Sequence, residues 1–559
     1  MDFSISLFLV FVSLPTILAQ SATHASIIVD GAAVVAETDN NYICATIDWW
    51  PHDKCNYNRC PWGYSSAVNL NLSHPLLIKA IQAFEHLRIR IGGSLQDQVL
   101  YDVGNLKTPC HLFQKVSWGL FGFSKGCLHM SRWDDLNQLF KTTGAIVTFG
   151  LNALHGRHRI QRDKWGGEWD STNARDFINY TISKGYVIDS WEFGNELSGH
   201  GVGASVDVES YAKDVIKLRE IINDLYKNSN SKPSLVAPGG FFEPEWYSKL
   251  LQVSGSNVVN VVTHHIYNLG AGIDPHLANN ILDPHYLSRV SEVFNRLDQT
   301  IQVHGPWASA WVGESGGAYN SGGRHVSNTF INSFWYLDQL GLASKYNTKV
   351  YCRQTLIGGH YGLLNTSTLV PNPDFYRQYF YKFSNINSFC QIFSPFALLW
   401  HRLMGKIVLP IGTDASSYLR SYAHCSKGNT GVTVLLINLS NQTQFSIHVQ
   451  NSKNVFLNVQ ENGVRREKSL LKGMKKTVAW IGNKVSDATV SREEYHLTPK
   501  DGYLQSQTMV LNGTPLELTA DGDIPNLNPI LRDVNTPIYM DPLSIAFVVF
   551  PNFDAPACS

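Results

Sequence analysis

From about residue 45 onward, short apolar runs alternate with longer segments whose apolar positions recur at three and four spacing. The short runs read as strands: Ala45–Ile47, Leu87–Ile91, Ala145–Leu151, Ile188–Phe193, Leu235–Ala237, Val258–Thr263, Ala308–Val312 and Val350–Arg353. The longer ones, Pro75–Leu87, Trp133–Thr142, Ala174–Lys184, Val208–Tyr226, Tyr286–Asp298 and Asn328–Leu342, read as amphipathic helices. Eight strand–helix repeats in succession predict an α/β fold, a closed (β/α)8 TIM barrel. A doubly wound sheet is the alternative, and it is disfavoured because no Gly-x-Gly-x-x-Gly follows the first strand. Beyond about residue 390 the pattern changes to short β runs with turn signals: Val432–Leu436, Gln444–Val449, Val455–Val459, Thr477–Trp480, Met509–Leu511 and Ile545–Val549. These predict a C-terminal β-sandwich, to which the early runs Ala25–Val29 and Ala32–Ala36 add an N-terminal strand. The expected division is a signal peptide over 1–20, N-terminal strands over 21–40, the barrel over 41–390 and the sandwich over 391–559.

Composition narrows the class. With 559 residues, 44% of them hydrophobic, the chain can fill two cores. The balance of 45 basic and 45 acidic residues argues against a nucleic-acid-binding surface. The run Ile5–Val12 with Ile17–Ala19, interrupted by Pro15, is short for a membrane span and predicts a cleaved signal peptide. No later stretch is long and apolar enough for a transmembrane helix. Asn-x-Ser/Thr sites at Asn71, Asn179, Asn365, Asn438, Asn441 and Asn512 fit a secreted glycoprotein. Nine cysteines (Cys44, Cys55, Cys60, Cys110, Cys127, Cys352, Cys390, Cys425, Cys558) allow disulfides whose pairing stays open, with at least one thiol left over. Cys55 and Cys60 have no matching second pair, so no metal is expected.

The chemistry is concentrated at two strand ends. Trp191-Glu192-Phe193-Gly194-Asn195-Glu196 runs from the fourth strand into an Asn-Glu pair, and Trp311-Val312-Gly313-Glu314 brings a second glutamate to the end of the seventh. In a parallel barrel the C-terminal strand ends converge on one face whatever their separation in sequence. Two carboxyl groups roughly 5 Å apart are the requirement of a retaining glycosidase, one protonating the departing oxygen and the other attacking the sugar carbon. Glu196 is therefore expected to be the acid/base and Glu314 the nucleophile, with Asn195 facing the sugar 2-hydroxyl and Glu196 holding the proton. Further polar groups are expected at the same face: Asp48, Ser94, His264 and Gln354, each following a strand. A basic loop, His155, Arg157, His158, Arg159, Arg162 and Lys164, follows the third strand, and a second cluster, Arg465, Arg466, Lys468, Lys472, Lys475 and Lys476, lies in the sandwich.

Four segments in order, Trp-Glu-Phe-Gly-Asn-Glu (191–196), His-His-Ile-Tyr (264–267), Trp-Val-Gly-Glu-Ser-Gly-Gly-Ala-Tyr (311–319) and Arg-Gln-Thr-Leu-Ile-Gly-Gly-His-Tyr-Gly (353–362), resemble glycoside hydrolase family 79. The resemblance is closer to the plant heparanase-like proteins and β-glucuronidases of that family, and it runs from about residue 24 to the end. It implies retaining hydrolysis of β-glucuronides, with the sugar carboxylate held near Tyr361 and by the loop carrying Tyr319, Asn320 and Ser321. Where animal heparanases have a glycine pair this chain has Asn320-Ser321, and it has Ile266 where they have tyrosine. Both differences weigh against heparan sulfate as substrate. The expectation is a secreted, wall-associated or vacuolar retaining β-glucuronidase without a cofactor. Its partner would be a glucuronic-acid-containing glycan of the arabinogalactan-protein type or a small glucuronide. Peripheral association with a membrane or wall and the oligomeric state stay open. The rivals are a glycosidase for another sugar, such as a β-xyloside or arabinoside, and a secreted protein that binds acidic glycans without turnover.

Overall fold

A computed structural model describes residues 22–106, 108–374, 396–428, 430–453, 491–517 and 527–559. The expected signal peptide, Cys390 with the boundary at 390, the runs Val455–Val459 and Thr477–Trp480 and the cluster Arg465–Lys476 lie outside the described residues.

The barrel strands are β1 (Ile43–Ile47), β2 (Arg88–Ile91), β3 (Ile146–Leu151), β4 (Ser190–Phe193), β5 (Ser234–Gly240), β6 (Val261–Ile266), β7 (Ser309–Ser315) and β8 (Thr348–Arg353). They close in chain order as a parallel barrel, β8 pairing with β1 through Tyr351–Ile43, Cys352–Cys44 and Arg353–Ala45. A disulfide joins Cys44 to Cys352 across that seam. Crossover helices include α1 (Pro75–Gln82), α2 (Met130–Thr143), α3 (Thr172–Ser183), α4 (Val208–Leu225), α5 (Pro244–Ser254), α6 (Val290–His304) and α7 (Ile331–Lys345). Of these α5 is absent from the sequence reading, although Pro244 at its first turn and Gly255 after its end are ordinary helix boundaries.

Strand alternation sorts the barrel's two faces. Phe149 of β3 packs outward against Trp133 of α2 and Phe177 of α3, each with ring centroids 5.0 Å away. Inside, Cys44, Val236, Val261, Trp311, Val350 and Cys352 form a separate apolar cluster. Arg88 stacks over the Trp311 ring at 4.6 Å and pairs with Asp189. The next inward position on β2, Arg90, faces Glu192, the inward position of β4. The interior thus passes from an apolar plug through buried charge to the face where the C-terminal strand ends gather.

Two further sheets make the sandwich. The smaller orders Ile411–Thr413, Thr23–Val29, Phe445–Asn451 and Ile538–Met540, with the N-terminal strand parallel to Phe445–Asn451. The larger includes Met404–Leu409, Leu419–Ser426, Val432–Asn438, Ser544–Phe550 and Ser491–Pro499. Ile27, Val29, Val434, Leu436, Ile447, Met540 and Val548 are buried between them. The other face of the larger sheet packs on the barrel, where Arg420 donates to Asp338 of α7 at 2.8 and 3.1 Å. The expected strand over Ala32–Ala36 is corrected: only Ala36–Glu37 pairs, because residues 31 and 32 form a turn and Val34 and Val35 face solvent.

Asn71, Asn179 and Asn441 are exposed, and Asn365 is half-buried. Asn438 is a correction: it is 0% exposed, and its amide nitrogen donates to the Thr443 and Asp541 carbonyls at 2.8 Å. A glycan has no room there. Asn512 also commits its amide nitrogen, to the carbonyls of Glu494 and Asn528.

Candidate active site

The chain leaves β4 through two left-handed residues, Gly194 (φ 71) and Glu196 (φ 54). Glu196 N–H donates to the Gly239 carbonyl at 2.7 Å, and Val202 N–H donates to the Glu196 carbonyl at 3.0 Å, so the turn is clamped from β5 and from its own loop. Glu314 lies within β7, opposite His265 of β6, where the pairing register slips after His264. Donor and acceptor atoms of Glu196, His265 and Glu314 all lie within 4.8 Å of one another. That separation suits attack by one carboxyl and proton transfer by the other; inverting enzymes need roughly 6.5–9.5 Å to admit a water between them.

Arg90, fully buried, joins the pieces. Its Nε donates to Glu192 Oε2 (2.7 Å), Nη1 to Glu314 Oε2 (2.9 Å) and Nη2 to Asn195 Oδ1 (2.8 Å). Tyr267 O–H donates to the other Glu314 oxygen at 2.6 Å. Asn195 is held twice, since its backbone N–H donates to Asp97 Oδ2 at 2.8 Å. With its Oδ1 taken by Arg90, Asn195 has its amide N–H groups left to offer a ligand. Asp97 also accepts from Ala153 N–H at 2.7 Å, tying the loop after β3 to the end of β4.

Burial dominates the electrostatics. It pushes the Glu196 carboxyl up to about 7, against the opposing charge of Arg90. Burial lowers His265 to about 3, so the imidazole 2.9 Å from Glu196 Oε1 is neutral. A neutral imidazole can accept a proton bond through Nδ1 or, as the other tautomer, donate one, and so can accompany Glu196 in either protonation state. Asp97 and Asp48 are each raised to about 7, first by burial; Glu314 adds to the rise at Asp48. The Glu196, His265 and Glu314 trio has cation-ligand types, but the Arg90 guanidinium already occupies Glu314. The other such group, Asp102, Cys110 and His129, has no thiolate, because Cys110 is bonded to Cys127.

The remaining expected residues divide. Asp48 accepts from Gln354 Nε2 at 2.8 Å and from the Trp49 N–H at 2.6 Å, and Gly93 (φ +117) passes so close that a Cβ there would lie 2.3 Å from its carboxylate. Tyr361 is buried beside Gln354 and Glu314, its carbonyl held by Arg353 at 3.0 Å. Asn320 and Ser321 form the turn after β7, with Tyr319 44% exposed at its edge. Ser94 is half-buried after β2, and none of the hydrogen bonds described for the site reaches it. His264 is a correction: its Nδ1 meets the Trp311 carbonyl at 3.1 Å and its ring stands edge-on to Phe294 of α6, so it packs outside the barrel and His265 takes the place in the cleft. The basic loop is partly structural, because Arg157 is buried against Asp214; Arg159, Arg162 and Lys164 are exposed. The sequence reading gives no role to Arg90, Glu192, Tyr267 or Asp97.

Comparison with known proteins places this geometry. Residues 24–341 match the model of the glycosyl hydrolase family 79 N-terminal domain. Heparanase-like protein 1 of Arabidopsis thaliana is 64% identical over 97% of this chain and 96% of its own length. Baicalin-beta-D-glucuronidase of Scutellaria baicalensis is 38% identical over 92% of this chain and 90% of its own length. Among solved structures, a 4-O-alpha-L-rhamnosyl-beta-D-glucuronidase from Fusarium oxysporum superposes with a TM-score of 0.58 at 14% identity, covering 94% of this chain and 100% of that one, which is a likeness of fold.

Proposed function

Because the chain belongs to glycosyl hydrolase family 79 and is a glycoside hydrolase, we propose that it is a secreted, retaining β-glucuronidase. The observation that carries the retaining chemistry is the placing of Glu196 and Glu314 within 4.8 Å, one beside a neutral imidazole and the other beside a cation. Glu314 attacks the anomeric carbon while Glu196 gives its proton to the departing oxygen, which breaks the glycosidic bond and leaves a glycosyl ester on Glu314. Glu196, now ionised, takes a proton from water as that water attacks the same carbon and releases Glu314. Asn195 donates to the sugar 2-hydroxyl, a bond that strengthens in the transition state.

The uronate carboxylate lies against Tyr361 and the Asn320–Gly322 turn. The Scutellaria baicalensis relative, a glucuronidase by name, supports a glucuronide. The natural substrate is glucuronic acid on cell-wall glycans of the arabinogalactan-protein type, or a small glucuronide. Purified protein should hydrolyse a chromogenic aryl β-glucuronide at mildly acidic pH, lose that activity as Glu314→Gln, and leave an aryl β-xyloside nearly untouched. Turnover of the xyloside in preference to the glucuronide would overturn the sugar assignment.

A further inference from the structure

One wall of the cleft is built by the segment Cys55-Asn56-Tyr57-Asn58-Arg59-Cys60. Asn56 and Arg59 exchange both backbone hydrogen bonds, at 2.8 and 3.0 Å, while Tyr57 (φ 53) and Asn58 (φ 59) are both left-handed. That is a two-residue type I′ hairpin, and the Cys55–Cys60 disulfide closes it. Its side chains land on the turn after β7. Asn56 Nδ2 donates to Ser321 Oγ at 2.6 Å, Trp62 Nε1 donates to the same oxygen at 2.9 Å, and Asn320 Nδ2 donates to the Tyr57 hydroxyl oxygen at 2.9 Å.

Ser321 is 3% exposed, and both acceptor positions of its hydroxyl oxygen are filled by groups that can only donate. Its own proton remains, and no described residue accepts it. A buried hydroxyl held this way is obliged to donate to a ligand or leave a hydrogen bond unmade. The surroundings specify the ligand's charge. Asn320 (φ 59), Ser321 (φ 75) and Gly322 (φ 79) are consecutive left-handed residues whose backbone N–H groups have no acceptor among the described residues. Successive N–H groups in a turn of this kind favour an anion. Trp62, which fixes the hydroxyl, also stands edge-on to Tyr361 with centroids 6.1 Å apart, and Tyr361 lies beside Glu314. Behind the turn, His360 N–H donates to the Ser321 carbonyl at 2.7 Å, with Arg59, Arg324 and His325 charged or chargeable around it.

We propose that the Ser321 hydroxyl, aimed by Asn56 and Trp62 from the disulfide-closed hairpin, is a specificity-determining donor that selects a sugar carboxylate over its uncharged counterpart. This rests on the reading of the cleft as a uronide site and adds to it a side chain and the scaffold that orients it. Selection is then a property of two loops, and it weakens when the hairpin opens even though the glutamates are untouched.

The test uses steady-state kinetics of the intact protein on an aryl β-glucuronide and on its isosteric 6-carboxamide. Ser321→Ala should raise KM for the glucuronide about tenfold, the scale of one hydrogen bond to a charged group, with kcat nearly unchanged, and should raise KM for the carboxamide, whose neutral carbonyl accepts a weaker bond, distinctly less. The paired variant Cys55→Ser/Cys60→Ser, and separately Asn56→Ala, should shift the same ratio in the same direction by less. A Ser321→Ala protein that handles both substrates like the wild type, or loses both in equal proportion, would overturn the inference. Wild-type protein that fails on the glucuronide while cleaving neutral glycosides would instead sink the uronide reading itself.

Discussion

Two glutamates face one cleft in surroundings that differ in kind. On the β7 side, Glu314 accepts from the Arg90 guanidinium at 2.9 Å and from the Tyr267 hydroxyl at 2.6 Å, so each oxygen meets a donor. On the β4 side, Glu196 meets only a neutral imidazole among the described side chains, and burial raises it to about 7. Identical side chains are thereby suited to different tasks: one is set to act as an acceptor and nucleophile, the other to keep and return a proton. Sequence predicts this division from repulsion between two close carboxylates, whereas the structure gives desolvation as the cause at Glu196.

The largest expected effect comes from removing the β7 member. Glu314→Gln should lower kcat by roughly four to six orders of magnitude, the scale on which a catalytic unit fails when its nucleophile is lost. Glu196→Gln should lower kcat/KM, which reports transfer of the sugar to Glu314 and not the later hydrolysis, roughly 10²–10⁴-fold on a substrate with a poor leaving group and far less on a nitrophenyl glucuronide, whose phenolate departs without a proton. Equal losses on both substrates would break the comparison. Its pH profile is a companion readout: wild-type activity should fall as pH rises through about 7, where Glu196 loses its proton, and that alkaline limb should be missing in Glu196→Gln.

Much of this was legible beforehand, and what was missed has a pattern. All eight barrel strands and both glutamates follow from short apolar runs that end in polar residues, because the fold gathers strand ends at one face. Arg90 and Glu192 lie in mid-strand, so a search of strand ends passes over them. The signal was present in Arg88-Ile89-Arg90-Ile91, where a fully buried strand carries charge at alternate positions. The choice between His264 and His265 follows from alternation once Val261 is known to face inward, and an apolar run such as Val258–Thr263 does not disclose which of its positions do. Tyr267 and Asp97 act through contacts that join residues distant in sequence, as does the pairing of Cys44 with Cys352.

Smaller effects sharpen the two environments. Tyr267→Phe deletes one charge-assisted hydrogen bond to Glu314 and should lower kcat roughly 10–10²-fold, with little change for Glu196-dependent proton transfer. Asp97→Asn loosens the clamp on Asn195 and should lower kcat/KM about tenfold on a glucuronide but hardly at all on its 2-deoxy analogue, which has no 2-hydroxyl for Asn195 to hold. The smallest expected effect is on stability. Asp48, Asp97 and Glu196 are all raised from the ordinary carboxyl range to about 7, so the folded chain binds more protons than the unfolded one between about pH 4 and 7. Their contribution is fully present below that window and is lost as pH rises through it. Buried histidines such as His264 and His265, lowered to about 3, act in the opposite direction, so the readout is a difference: Tm at pH 5 minus Tm at pH 8 should be smaller in Asp97→Asn than in the wild type, and an unchanged difference would contradict the assigned protonation.

The central claim is that Glu314 and Glu196 act in sequence on one sugar carbon, with inversion at each step. Proton NMR of the anomeric signal during the first minutes of aryl β-glucuronide hydrolysis tests it most directly. Initial appearance of β-glucuronic acid, followed by slow mutarotation to the α form, is the predicted result; α-glucuronic acid as the first product would mean a single displacement by water and would contradict the account.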